Sequence, residues 1–87
     1  MSEQEVDDKL CRFCRENAAT MPRGAYIAKI FGNRRWSFLC GTQPDIPGPI
    51  LRIHLAPGYG LCLPSGTRPD HATRLTQALQ VLFVQIS

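Results

Sequence analysis

Beyond residue 20 the chain has only two carboxylates, Asp45 and Asp70. That supply is too thin for paired-carboxylate acid–base chemistry or for a magnesium site. Histidine is as scarce, with His54 and His71 the only two. Neither stands in a sequence context that suggests a Ser-His-Asp triad, and His71 falls in the first turn of a predicted helix, where the dipole disfavours its charged form. No catalytic constellation emerges, so the expectation is a protein that is not an enzyme. No apolar run approaches the roughly 20 residues of a membrane helix, so no membrane partner is expected. The opening MSEQEVDDK is acidic and lacks the basic start and apolar stretch of a secretory signal, which makes the cytoplasm the expected location. Gly58-Tyr59-Gly60 is followed by no GK[ST] and opens no helix, so a turn explains it better than a phosphate loop. Internal repeats and low-complexity tracts are missing as well.

A second close cysteine pair is also missing. Four cysteines suffice in number for a structural zinc, but only Cys11 and Cys14 are close, while Cys40 and Cys62 are scattered. Zinc ribbons show two close pairs, usually in tight turns. A thioredoxin-like pair needs a βαβ context that the chain does not offer. Plain buried thiols are the expectation, with no metal and no other cofactor.

What is present is a chain of 87 residues, 44% hydrophobic, with a net charge of +3. It reads as a single domain over 1–87, able to bury about two-thirds of its unfolded surface. The charge is split. Residues 1–20 hold five acids against three bases, and residues 21–87 hold seven bases against two acids. Six of those seven bases are arginine. An excess of this kind suits an anionic partner, either an acidic protein surface or nucleic acid.

Helical spacing of Val6, Leu10, Phe13, Cys14 and Ala18 predicts a helix over 3–19, with Ser2 and Glu5 as a capping box. Ala25 to Cys40 predicts a hairpin about Gly32-Asn33, with Gly first as a type II′ turn requires. A two-residue loop would pair Ile30 with Arg35 and Ile27 with Phe38. It would send Ile27, Lys29, Phe31, Trp36, Phe38 and Cys40 to the core, and Tyr26, Ala28, Ile30, Arg35, Ser37 and Leu39 to the other face. The stretch 41–49, with two glycines and three prolines, predicts a surface loop. Residues 50–55 and 60–63 predict a third and fourth strand joined by a type II turn, and the facing of the fourth is left open. Thr67 is the predicted cap of a second helix, whose apolar stripe is Ala72, Leu75, Leu79, Leu82 and Ile86. Its last turns are apolar nearly all round. Val81, Phe83 and Val84 are therefore the predicted contact of a homodimer, unless loops cover them. The predicted fold is α+β, a two-layer sandwich in which an antiparallel four-stranded meander carries the N-terminal and C-terminal helices on one face.

The segment Leu51-Arg52-Ile53-His54-Leu55-Ala56-Pro57-Gly58-Tyr59 resembles the strand and turn of RelE/HigB-type addiction-module toxins. The resemblance implies a ribosome-dependent RNA-cleaving protein. It covers nine residues. The family's arginine after the tyrosine is Gly60 here, and its later GGDKSTQ segment and N-terminal strand have no counterpart, so no catalytic residue is carried over.

The functional expectation is a small non-enzymatic binding protein that docks on and occludes a protein partner with an acidic surface. Inhibitors or accessory factors of phages and mobile elements are the kind of protein envisaged. The expected partner-binding residues are Lys29, Arg34, Arg35 and Trp36 on the hairpin, with Arg52 and His54 on the polar sheet face. A nucleic-acid module using the same arginines is the alternative, and an RNA-cleaving toxin the second.

Overall fold

The structure is a computed structural model that describes residues 2–44 and 48–86. Helix α1 spans Glu3–Glu16. Strands β1 (Tyr26–Ile30), β2 (Trp36–Gly41), β3 (Ile50–Ala56) and β4 (Tyr59–Pro64) follow, and α2 spans Pro69–Ile86. The α+β fold expected from the sequence is present, with all strand pairs antiparallel.

Local chemistry starts and stops the helices. Ser2 Oγ accepts from the Glu5 amide at 3.2 Å, the N-cap bond, and donates to the Glu5 carboxylate at 3.4 Å, so the expected pair meets through the hydroxyl and not through the Ser2 amide. Asn17 ends α1, its side-chain amide donating to the Phe13 carbonyl at 2.8 Å. Thr67 does not cap α2. Its hydroxyl donates back to the Pro64 carbonyl at 2.7 Å, which closes the preceding turn, and the first helical bond runs from the Ala72 amide to the Arg68 carbonyl.

The strand order is β2-β1-β4-β3, which corrects the expected meander. A meander needs β2 to pair with β3 through a tight turn. The proline-rich connection after Gly41 instead carries the chain from one sheet edge to the other. Outer strands of a four-stranded sheet lie about 14 Å apart, within reach of such a stretch. Residues 45–47 of that predicted loop lie outside the described residues. Composition suits the order. β4 reads YGLCL without a polar residue and sits centrally, whereas β3 alternates Arg52 and His54 with apolar residues and forms an edge.

The first hairpin also departs from expectation. The Arg34 amide bonds the Phe31 carbonyl, the Phe31 amide bonds the Arg35 carbonyl, and Arg34 takes φ 64°. This is a three-residue loop, a turn followed by a left-handed residue, not a two-residue type II′ turn. The register slips by one, so Ile30 pairs with Trp36 and Ala28 with Phe38. A one-residue slip turns every side chain over. Trp36 and Phe38, expected in the core, therefore stand on the opposite face. A bulge between Ile27 and Ala28 then restores Cys40 to a place opposite Ile27 and beneath α1. In the second hairpin Gly58 takes φ 87°, as the type II turn requires, and a further bulge sets Cys62 opposite Arg52.

Both helices cover one face. Leu10 and Cys14 of α1 and Ala72, Leu75 and Leu79 of α2 close over Ile27, Tyr59, Leu61 and Leu63. α1 lies against β2, and α2 against β3. Near the start of α1, Lys29 pairs with Glu3 and with Asp7, the latter at 3.0 Å, and the Tyr59 hydroxyl donates to Asp7 at 2.6 Å. Glu3 first and then Asp7 hold Lys29 charged beyond its ordinary range. Burial first, and then the bond to Asp7, keeps the Tyr59 phenol protonated beyond its usual value. Both groups bind their proton more tightly folded than unfolded. Their stabilisation is complete below about pH 10 and is lost as pH rises past it. Tyr59→Phe should cost about 1.5 kcal/mol at pH 7 and make the alkaline loss of stability shallower. Urea melts at pH 7, 9 and 10.5 test this, and equal slopes for both proteins would reject it.

Candidate functional site

The sheet face away from the helices carries Tyr26, Trp36, Phe38, Ile50, Arg52 and His54, and no described element covers it. Trp36 organises it. Its indole crosses β1 from the edge strand β2 and lies against Gly60 of β4. A Cβ at position 60 would fall 2.1 Å from the ring. On β3, the His54 ring meets it edge-on at 5.4 Å, and the Arg52 guanidinium stacks over it at 5.3 Å. Aromatic edges and cations suit the π-face electrostatically. Beside this group, Tyr26 and Phe38 pack at 5.4 Å. Beneath them Ala28 and Cys62 have no exposed surface, although both belong to the helix-free face. The aromatic layer is thus a thin second core.

What remains exposed is apolar and cationic. Phe38 is 42% exposed and Ile50 37%, and Arg52 is exposed beside them. None of the four strands contains an aspartate or glutamate. At the hairpin tip Arg34 and Arg35 are exposed, with Arg35 stacked 5.2 Å over Phe31. A left-handed arginine costs about 1 kcal/mol relative to glycine.

The predicted site residues therefore fall into separate groups. Trp36, Arg52 and His54 come together. Arg34 and Arg35 stand at the tip. Lys29 lies on the helix side, engaged by Glu3 and Asp7. Of the predicted dimer contact, Val81 and Val84 point outward, 56% and 75% exposed, whereas Phe83 packs inward on Tyr59 at 5.6 Å. Sequence reasoning missed Phe38 and Ile50 as surface residues of this face. The available signal was Gly60, since a glycine inside an apolar strand marks close approach by another group.

The helix side has clefts of its own. One of about 480 Å³ is lined by Phe13, Thr20, Arg68, His71 and Arg74. Two of its polar side chains are engaged within the chain: His71 Nε2 donates to the Thr20 carbonyl at 2.8 Å, and Arg68 lies 3.5 Å from Asp70. Among the described residues, no three His, Cys, Asp or Glu side chains are placed to hold a metal ion, and no helix is long and apolar enough to cross a membrane. No family model, curated protein or solved structure matches the chain.

Proposed function

We propose that the chain is a non-enzymatic binding protein whose open sheet face and hairpin tip dock on an acidic protein surface and occlude it. The observation that carries this reading is the uncovered face itself, where Trp36, Arg52 and His54 are pre-assembled beside exposed Phe38 and Ile50, with no carboxylate on any strand. Tryptophan, tyrosine and arginine are the residues that most often anchor protein interfaces, and rigid anchors lose little entropy on binding. Arg34 adds support, because its left-handed backbone, which glycine would adopt without strain, sets a guanidinium at the exposed tip. The Trp36 ring already contacts Gly60 and Arg52, so base stacking on this face would fall to the exposed Phe38.

The test is co-purification from the source organism, with surface variants as controls. Arg52→Glu and Phe38→Glu should each weaken capture of the partner at least tenfold while leaving the far-ultraviolet circular dichroism unchanged. Undiminished capture by both variants would show that this face is the wrong surface. Binding to RNA or DNA that falls steeply between low and moderate salt would replace the protein partner with nucleic acid.

A further inference from the structure

On the helix side, away from the proposed docking face, a cleft of about 370 Å³ is lined by Cys11, Cys14, Arg15, Met21 and Cys40. Cys14 of α1 and Cys40 of β2 approach to 3.5 Å between sulfurs, although 26 positions separate them in the chain. We propose that Cys14 and Cys40 are a site of reversible oxidation, forming a disulfide that ties α1 to the edge strand β2, with a small hydroperoxide as the oxidant.

The geometry is close to what the bond needs. A disulfide requires the sulfurs at about 2.05 Å, an approach of some 1.5 Å from their present contact. Cys40 follows the bulge in β2, where the ladder is already interrupted and the backbone can shift. The thiols are inequivalent. The hydrogen bond that the two sulfurs share lowers the Cys14 thiol below its ordinary value, while that bond first, then burial and the neighbouring Cys11, raise Cys40. In the proposed reaction Cys14 attacks first, in contact with the Cys40 sulfur at 3.5 Å, and Cys40 resolves. Cys14 is only 6% exposed, which favours a small oxidant over a bulky one.

The chemistry takes two steps. The Cys14 thiolate attacks the distal oxygen of ROOH; the O–O bond breaks, an S–O bond forms, and alkoxide leaves to take the thiol's proton as ROH. The Cys40 sulfur then attacks the Cys14 sulfenic acid; the S–O bond breaks, the S–S bond forms, and the hydroxyl departs as water with the Cys40 proton. Two thiols are oxidised and one hydroperoxide is reduced. A dithiol reductant reverses the bond by exchange.

The experiment treats the full chain with hydrogen peroxide and maps disulfide-linked peptides by mass spectrometry. The expected product has lost two hydrogens, links Cys14 to Cys40, melts roughly 10 °C higher because a loop is closed, and returns to the starting mass with dithiothreitol. Cys11→Ser should leave the link intact, and Cys40→Ser should abolish it and leave a sulfenic acid at Cys14 that dimedone traps when added with denaturant. A Cys11–Cys14 or a Cys11–Cys40 link in the wild type would overturn the proposal, since Cys11 lines the same cleft. So would alkylation of both Cys14 and Cys40 after peroxide treatment that has oxidised Cys11. The wild-type map decides the matter even where a variant folds poorly.

Discussion

Gly60→Val should lift the single tryptophan off the sheet and cost about 3 kcal/mol, read as a red shift of Trp36 emission and a lower urea midpoint. The cause is steric and local. The Cβ of any residue at position 60 would lie 2.1 Å from Cζ3 and 2.5 Å from Cη2 of Trp36, well inside van der Waals contact. Strand β4 is held on both sides, with Gly60 opposite Ala28 and opposite His54, so the backbone cannot retreat. The indole must move instead. When it moves, the contacts with His54 and Arg52 go with it, and Ala28 loses part of its cover. A domain of this length holds about 4–13 kcal/mol in total, so the loss is a large share. A double-mutant cycle isolates the mechanism. Trp36→Ala removes the obstacle, and Gly60→Ala in that background should be neutral or stabilising, because glycine is a poor strand residue. An equal penalty for Gly60→Ala with and without Trp36 would show that the glycine serves the backbone and not the ring.

The same pair explains where the sequence could be read and where it could not. The helices were legible because their signals are local: the Ser2–Glu5 box and the stripe through Leu75 and Leu79 are written within a turn or two. The strands and both hairpins were legible from their turn glycines and apolar runs. Facing was not. It depends on whether the loop after Phe31 has two residues or three, and that depends on Arg34 entering a left-handed conformation that nothing about arginine announces. That single slip moved Trp36 and Phe38 from the expected core to the open face, and with them the candidate site. Strand order was hidden for a different reason. Pairing of β1 with β4 joins residues thirty or more positions apart, and only the difference between apolar β4 and amphipathic β3 hinted at which strand lies inside. Lys29 was misplaced with the tip because its partners, Glu3 and Asp7, belong to a helix whose position over the sheet no local pattern encodes.

Leu79→Ala should be the most damaging single truncation in α2, at about 3 kcal/mol and roughly 15 °C in melting temperature, whereas Val84→Ser in the same helix should change neither by much. Leu79 has no exposed surface and sits where α2 meets the sheet core, so its removal leaves a cavity among residues already held in place. Val84, at 75% exposed, has no such cover in the monomer. The contrast also tests what the apolar end of α2 is for. In a monomer, Val81→Ser with Val84→Ser leaves the melting temperature unchanged and independent of protein concentration. In a homodimer built on that surface, the wild type melts higher as concentration rises, and the double variant loses that dependence. Phe83 takes no part in the distinction, since its packing on Tyr59 commits it to the monomer core. Differential scanning calorimetry over a hundredfold range of concentration separates the two cases, and Leu79→Ala should be costly in both. A Leu79→Ala protein that melts within 3 °C of the wild type would mean that α2 does not close the core as the place of Leu79 in that buried cluster implies.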